Sequence, residues 1–165
     1  MKCVTNTSPL SWLGRIGRLG LLPELYDEIY APTMVFKQLK DHDQTRDFVS
    51  NYVTPINLSD KEKRRFNKVA RRWHRKLGLD DIAEVEVFIA YQFFLNVDEM
   101  LFANKQAEEI FGAYGKVRDI ADIPELAEEL GKFTRNDSIR FLEELLRLNP
   151  PYRTPYVTEK LMRLR

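Results

Sequence analysis

The first 40 residues alternate twice between a short β-like run and a helical pattern, and this alternation constrains the fold more than any other feature. Lys2–Thr5 has the composition of a strand, cap residues follow at positions 6–8, and Pro9 suits the first turn of a helix. Glu28–Ala31 reads as a second strand, after which Pro32 opens another helix. Strands that alternate with helices at this spacing pair in parallel, so the sequence predicts an α/β domain around a central parallel sheet.

The middle of the chain continues this pattern. Residues 21–26 read as a linker, and residues 53–58 are extended. A long helix is predicted from a capping-box pair, Ser59 and Glu62, to the stop signal Gly78. An apolar helix that runs to Phe93 follows, and the three apolar residues at 100–102 are typical of a buried parallel strand.

The last third of the chain is predicted to be mainly helical. Residues 116–118 read as an edge strand, and three helices close the chain at residues 123–133, 137–148 and 155–164. We therefore expect an α/β core over residues 1–120 and a C-terminal helical extension over residues 121–165. The last helix is expected to dock on this core or on another copy of the chain.

Composition narrows the class of protein. The chain has 165 residues, 44% of them hydrophobic, which is enough for one sizeable core. Its single cysteine, Cys3, excludes an internal disulfide and fits a reducing compartment, so we expect a cytoplasmic protein in which Cys3 packs as a small hydrophobe. No apolar run approaches the roughly 20 residues that cross a bilayer, so no membrane partner is expected.

Charge is segregated although the net charge is only +1. Between Lys61 and Lys76 nine residues are basic and one is acidic. The apolar stripe of this helix, which includes Phe66, Trp73 and Leu77, predicts its buried face and turns the cations to solvent. Such a face favours RNA or another polyanion, with an acidic protein partner or a merely solvated face as the alternatives. The predicted RNA-binding residues are Lys61, Arg64, Arg65, Lys68, Arg71, Arg72 and Arg75.

Acidic residues are concentrated elsewhere in the chain, among them Asp98, Glu99, Glu108 and Glu109. Contact between the basic helix of one copy and the acids of another would pair opposite charges, so a homodimer is expected.

Several other classes of site are excluded. Two histidines and one cysteine cannot form a zinc site of the usual spacing, and neither a nucleophile elbow nor a glycine-rich phosphate loop occurs.

Four sequence blocks, taken in order, carry a resemblance to a known family. The first covers residues 4–10 with Gly17 and residues 21–23, and the second combines residues 31–32 and 35 with residues 38–39. The third covers residues 79–90 and the fourth residues 100–107. In order and spacing these blocks resemble the PIN-domain ribonucleases, specifically the small toxin-like branch, over about residues 2–118. The resemblance implies a three-layer α/β/α fold with a central parallel sheet and a helical C-terminal tail.

The resemblance also implies a chemistry that depends on acidic side chains. In PIN domains three or four carboxylates meet at the carboxyl edge of the sheet and hold Mg²⁺ or Mn²⁺, which activates water against a phosphodiester. Carried over by position, the acid after the first strand is Asn6 here, and the acid in the second helix is Gln38. The acids after the strand at residues 100–102 are replaced by Ala103 and Asn104, whereas the acid in the apolar helix is present as Glu84.

One expected acid in four is therefore present, and the amides keep the shape of the lost acids without their charge. The leading interpretation is a PIN-like domain with lost or weakened nuclease activity and no metal cofactor, which binds RNA or a protein partner through the basic helix. In this interpretation Glu84 is the surviving catalytic acid, and Glu86 is expected to face solvent. The alternative is an active Mg²⁺- or Mn²⁺-dependent toxin-type endoribonuclease in which Asp81 or Asp98 compensates.

A geometric expectation follows from the same resemblance. Asn6, Gln38, Glu84, Ala103 and Asn104 should converge at one end of the parallel sheet. If Asn6 and Glu84 lay at opposite edges of that sheet, the assignment would be wrong.

Overall fold

Five parallel strands form the centre of the computed structural model, which describes residues 1–39, 43–78, 82–148 and 154–165. The order of the strands across the sheet is β3-β2-β1-β4-β5, so the first strand lies in the middle. The strands are β1 (Lys2–Thr5), β2 (Glu28–Ala31), β3 (Val53–Pro55), β4 (Glu99–Phe102) and β5 (Val117–Asp119).

Helices connect these strands and close the chain. They are α1 (Thr7–Arg15), α2 (Leu22–Leu25), α3 (Thr33–Gln38), α4 (Asp43–Tyr52), α5 (Asp60–Leu77), α6 (Ile82–Phe93), α7 (Lys105–Phe111), α8 (Ile123–Glu129), α9 (Arg135–Leu148) and α10 (Thr154–Leu164). The bounds of β1 and β2 agree with the sequence predictions, and β5 is the predicted edge strand, one residue later than expected.

The two faces of the sheet carry separate apolar cores because successive strand residues point in opposite directions. Cys3 and Leu101 belong to the core that α1–α4 and α8–α10 cover. Val4 and Met100 belong to the core beneath α5, α6 and α7. The predicted three-layer α/β/α fold with a central parallel sheet is therefore confirmed.

Helix α5 forms as its sequence signals predicted. The Ser59 side chain accepts the backbone N–H of Glu62 while the Glu62 carboxylate accepts the N–H of Ser59, which is the predicted capping box. Gly78 ends the helix with φ +63°, a left-handed conformation that glycine adopts without steric cost. Phe66 and Ala70 are buried on the side of α5 that faces the sheet.

Two connections differ from the sequence predictions. The segment expected to be a linker is helical: a short 3₁₀ turn, Leu19–Leu21, runs into α2. Its leucines are buried in the core and Pro23 suits a first helical turn, so packing favours a helix there. Helix α8 ends at Glu129, earlier than predicted, and Gly131 follows with φ +67°.

The C-terminal helix α10 docks on the body of the same chain. Val157 and Leu161 are buried in the core that includes Cys3 of the first strand. The Lys160 ammonium lies 2.5 Å from a carboxylate oxygen of Asp122 and 2.7 Å from one of Glu125. The segment from residue 121 onward therefore shares a core with the first 120 residues.

A buried ion cluster joins β4 to its neighbour β5 near the start of both strands. Glu99 has no solvent-exposed surface, and it receives two hydrogen bonds from the Arg118 guanidinium, at 2.6 and 3.1 Å, and one from the Tyr26 hydroxyl. The Lys116 ammonium lies 3.0 Å away. Burial by itself raises the pKa of Glu99, but the hydrogen bonds and charge of Arg118 outweigh it and hold this pKa below its ordinary value.

Replacing Glu99 by glutamine is expected to lower the free energy of unfolding by about 3 kcal/mol, because the half-buried Arg118 then loses its buried counter-charge. The stabilisation by Glu99 is complete above the ordinary glutamate pKa of 4.5 and is lost as the pH falls through the lower folded-state value. Urea denaturation at pH 7 and in acid measures both effects. Glu159→Gln, which removes an exposed ion pair with Arg163, is the matched control and should change stability little. A Glu99→Gln variant as stable as the parent at pH 7 would contradict this expectation.

Candidate functional site

The ends of two neighbouring strands place two of the predicted site positions side by side. Strands β1 and β4 are paired in parallel, with Thr5 opposite Leu101, and their carboxyl ends lie at the same edge of the sheet. Asn6 follows β1 and Ala103 follows β4, and each side chain is only 3% exposed. Ligand sites of parallel α/β folds form at this edge.

Gln38 contacts this edge of the sheet through a hydrogen bond with the first turn of α1. Asn6 occupies the N-cap position of α1, and the Thr7 hydroxyl next to it donates a hydrogen bond to the side-chain oxygen of Gln38. Gln38 is the last residue of α3, the helix that follows β2, and its side chain is exposed.

Glu84 and Asn104 form the second contact of the site. The Asn104 amide donates to a Glu84 carboxylate oxygen at 3.1 Å, while its own oxygen accepts the backbone N–H of Gln106 at 3.0 Å and caps α7. A carboxylate at position 104 could accept the cap hydrogen bond but could not donate to Glu84. The amide therefore suits a site that keeps a single acid.

Each of the predicted positions follows a strand at the carboxyl edge of the sheet or contacts a residue there. Glu84, Ala103 and Asn104 line one cleft of about 420 Å³ together with Ser8 of α1. Lys105 and Gln106 complete its lining, and the resemblance to PIN domains did not single out these two or Ser8 as site residues. That these residues form a degenerate catalytic site stays a prediction.

The side chains at the five predicted positions do not fit Mg²⁺ or Mn²⁺. Both ions require several oxygen ligands with enough negative charge to offset dehydration. Glu84 is the one carboxylate among the predicted positions, the Gln38 oxygen already accepts from Thr7, and Ala103 offers no side-chain ligand. The buried Oδ1 of Asn6 has no hydrogen-bond partner in the described residues, but it carries no formal charge. No group of three or more His, Cys, Asp or Glu side chains in residues 1–39, 43–78, 82–148 and 154–165 could hold a metal ion.

The proposed compensation by Asp98 is wrong. The Asp98 carboxylate accepts the backbone N–H of Lys2 at 2.6 Å, and its own N–H donates to the Lys2 carbonyl. Asp98 thus lies at the amino end of β1, one strand length away from Asn6 at the carboxyl end. Asp81, the other residue considered for this role, falls outside the described residues.

The basic helix presents its cations to solvent. All seven predicted RNA-binding residues are exposed, and they lie along α5 from its first turn to its last. None of the seven forms an ion pair with an acid in the part of the chain that the structure describes; the one pair on this helix joins Lys63 to Asp60 at 3.9 Å. Lys63 also lines a cleft of about 220 Å³ with Pro32 and Ile56, which follow β2 and β3. Part of α5 therefore borders the carboxyl edge of the sheet.

Two side chains of α6 have environments that differ from the predicted ones. Phe93, expected to belong to the apolar face of α6, is 50% exposed at the end of that helix. Glu86, expected to face solvent, is half-buried and lines the cleft beside Lys63. The sequence held a signal for the exposure of Phe93, namely the adjacent pair Phe93 and Phe94. Neighbouring residues of a helix cannot both point at one core.

Comparison with known proteins identifies a family for this chain. A family model described as a PIN domain matches residues 2–101 of this chain. The matched region contains Asn6, Gln38, Glu84 and the whole of α5, and it ends within β4, two residues before Ala103. No curated protein and no solved structure matches the chain.

Proposed function

Because this chain belongs to the PIN-domain family, we propose that it is a nuclease-like domain with lost or weakened activity that binds RNA through the exposed face of α5. The family supplies a nuclease-like fold, and the five predicted site positions hold one carboxylate, Glu84, where the metal chemistry requires several.

The row of solvent-exposed cations on α5 carries the proposal. Long cationic side chains on an exposed face usually alternate with acids that neutralise them, and here seven face solvent without an acidic partner among the described residues. Residues three and four apart on a helix are neighbours, so Arg64, Lys68, Arg71 and Arg75 form one continuous row. Such a row can follow a phosphate backbone and release its counterions.

An acidic protein surface is the second candidate for this face, and one observation favours RNA over it. Exposed and half-buried aromatic rings, Phe93 and Trp73, lie beside the cations Arg72 and Lys76. Aromatic rings next to cations suit nucleobases and phosphates together. We therefore place RNA first and treat the protein partner as an outcome of the test.

A homodimer remains a prediction with weaker support than the sequence suggested. Glu99, one of the acids expected to be available to a second copy, is buried against Arg118. Glu108 is paired with Lys105 of its own helix. The acidic surface left for another basic helix is correspondingly smaller.

Among the described helices, none has the length and apolarity needed to cross a bilayer.

Binding without cleavage is the expected result when the parent protein meets labelled single-stranded RNA. Affinity should fall steeply as salt rises and should not require Mn²⁺, because the cations of α5 and not a metal hold the phosphates. Fluorescence anisotropy measures the binding, and a denaturing gel of the same samples measures cleavage. Cleavage that requires Mn²⁺ and disappears in Glu84→Gln would establish the active endoribonuclease instead. Absence of RNA binding at low salt would favour the acidic protein partner.

A further inference from the structure

A cleft on the outer side of α5 and α6 combines aromatic and cationic side chains. It has a volume of about 410 Å³ and is lined by Val69, Arg72, Trp73, Lys76 and Phe93. This volume is within the range of roughly 300–1,000 Å³ for sites that take small molecules. The cleft is separate from the one at Glu84, since the two share no lining residue.

The two rings of this cleft have different surroundings. The Trp73 ring packs edge-to-face against Phe88 and Tyr114, at ring-centroid distances of 5.1 and 5.6 Å. Phe93 is 50% exposed, and within the described residues its ring pairs with no other aromatic ring. Trp73 therefore forms a rigid side of the cleft, and the exposed Phe93 ring can stack against a ligand.

The cations of the cleft are arranged around these rings. The Lys76 ammonium lies over the Trp73 ring, 4.5 Å from its centroid. Arg72 and Lys76 are four residues apart on α5 and therefore lie on one side of the helix, in line with the rest of its basic face. Neither forms an ion pair with an acid in residues 1–39, 43–78, 82–148 and 154–165. A ligand with a flat apolar ring and an adjacent negative charge matches this arrangement.

We propose that this cleft binds one unpaired base of single-stranded RNA, stacked on Phe93 beside Trp73, while Arg72 and Lys76 hold the flanking phosphates. The inference rests on the proposed function and adds to it a preference for single strands over duplexes. A base within a duplex is already stacked between its neighbours and cannot enter the cleft, whereas duplex phosphates can still reach the cations of α5. An apolar peptide would leave the two cations unused.

The experiment uses Trp73 as a reporter. The substitution Trp12→Phe leaves Trp73 as the one tryptophan of the chain. This protein is titrated with a single-stranded oligouridylate of about 12 nucleotides and with an RNA duplex of the same length. A base that stacks in the cleft should quench Trp73 emission with the single strand and not with the duplex.

Two substitutions at one position separate stacking from apolar contact. Phe93→Leu keeps an apolar side chain but removes the ring, and it should weaken single-strand binding roughly 5-fold to 150-fold, the range for removing one base–aromatic stack. Phe93→Tyr keeps the ring and should bind as the parent does. Duplex affinity should change less than about twofold in either variant, because phosphate contacts alone hold it. Thermal unfolding of each variant checks that the fold is retained, as expected for a half-exposed position.

The outcomes distinguish this inference from the function on which it rests. Equal binding of single strand and duplex, with Trp73 emission unchanged and Phe93→Leu indistinguishable from the parent, would overturn the base site and leave RNA binding by α5 intact. Absence of binding to either RNA at low salt would overturn the proposed function, and the base site with it.

Discussion

Replacing Arg64, Lys68, Arg71 and Arg75 together by serine is expected to weaken binding of single-stranded RNA on the order of a hundredfold at low salt. Each of these exposed side chains can bind one phosphate, and each phosphate so neutralised releases condensed counterions. The slope of log affinity against log salt should therefore become shallower by about 0.7 for each phosphate that the variant no longer binds, or about 3 for all four. Anisotropy titrations over a range of salt concentrations measure both quantities.

A second quadruple variant controls for the loss of charge. Replacing Lys37, Lys132, Arg140 and Arg147 by serine also removes four exposed cations, but from α3, α9 and the connection between α8 and α9. Both variants take the net charge from +1 to −3. The control should keep most of the affinity and the full salt slope. If the two variants weaken binding equally, only the overall charge matters and α5 is not the binding face; if the α5 variant binds as the parent does, the helix is merely a solvated face.

Restoring three acids is expected to create a metal site where the parent has none. The triple variant Asn6→Asp, Gln38→Glu and Ala103→Asp adds three carboxylates at the edge that already holds Glu84. Without metal, these like charges repel in a partly buried site, so the variant should melt at a lower temperature than the parent. Mn²⁺ should then raise its melting temperature in a concentration-dependent way, because the ion binds the folded state alone. The melting temperature of the parent should not respond to Mn²⁺.

Glu84 provides the control for this experiment. Adding Glu84→Gln to the triple variant removes one of the four carboxylates and should lower the Mn²⁺ affinity by more than about tenfold. Calorimetric titration with Mn²⁺ gives the affinities independently of melting. A triple variant that is folded but insensitive to Mn²⁺ would mean that the four positions do not form a metal site, even though they lie at one edge of the sheet. A parent protein stabilised by Mn²⁺ would contradict the proposed loss of the metal.

Much of the fold could be predicted because its signals are local. The capping box of Ser59 and Glu62 and the left-handed Gly78 depend on residues within one helical turn, and both are observed where the sequence placed them. The apolar run at residues 100–102 identified β4 because a strand covered on both faces must be apolar on both. The helical connection at residues 19–25 was missed because its helix forms through burial of leucines against distant elements, which no local pattern reports.

For this protein the sequence by itself determined the parallel α/β class and the bounds of β1 and β2, and the resemblance to PIN domains indicated which positions to look for at the carboxyl edge of the sheet. Parallel pairing brings the ends of neighbouring strands together whatever residues follow them, so that edge could be located without coordinates. Only the tertiary structure decided where single side chains point and what they touch. It placed Asp98 at the opposite end of β1, buried Glu99 against Arg118 and left Phe93 half in solvent. Burial and partners depend on contacts between residues far apart in the chain, and residue type and spacing do not specify them.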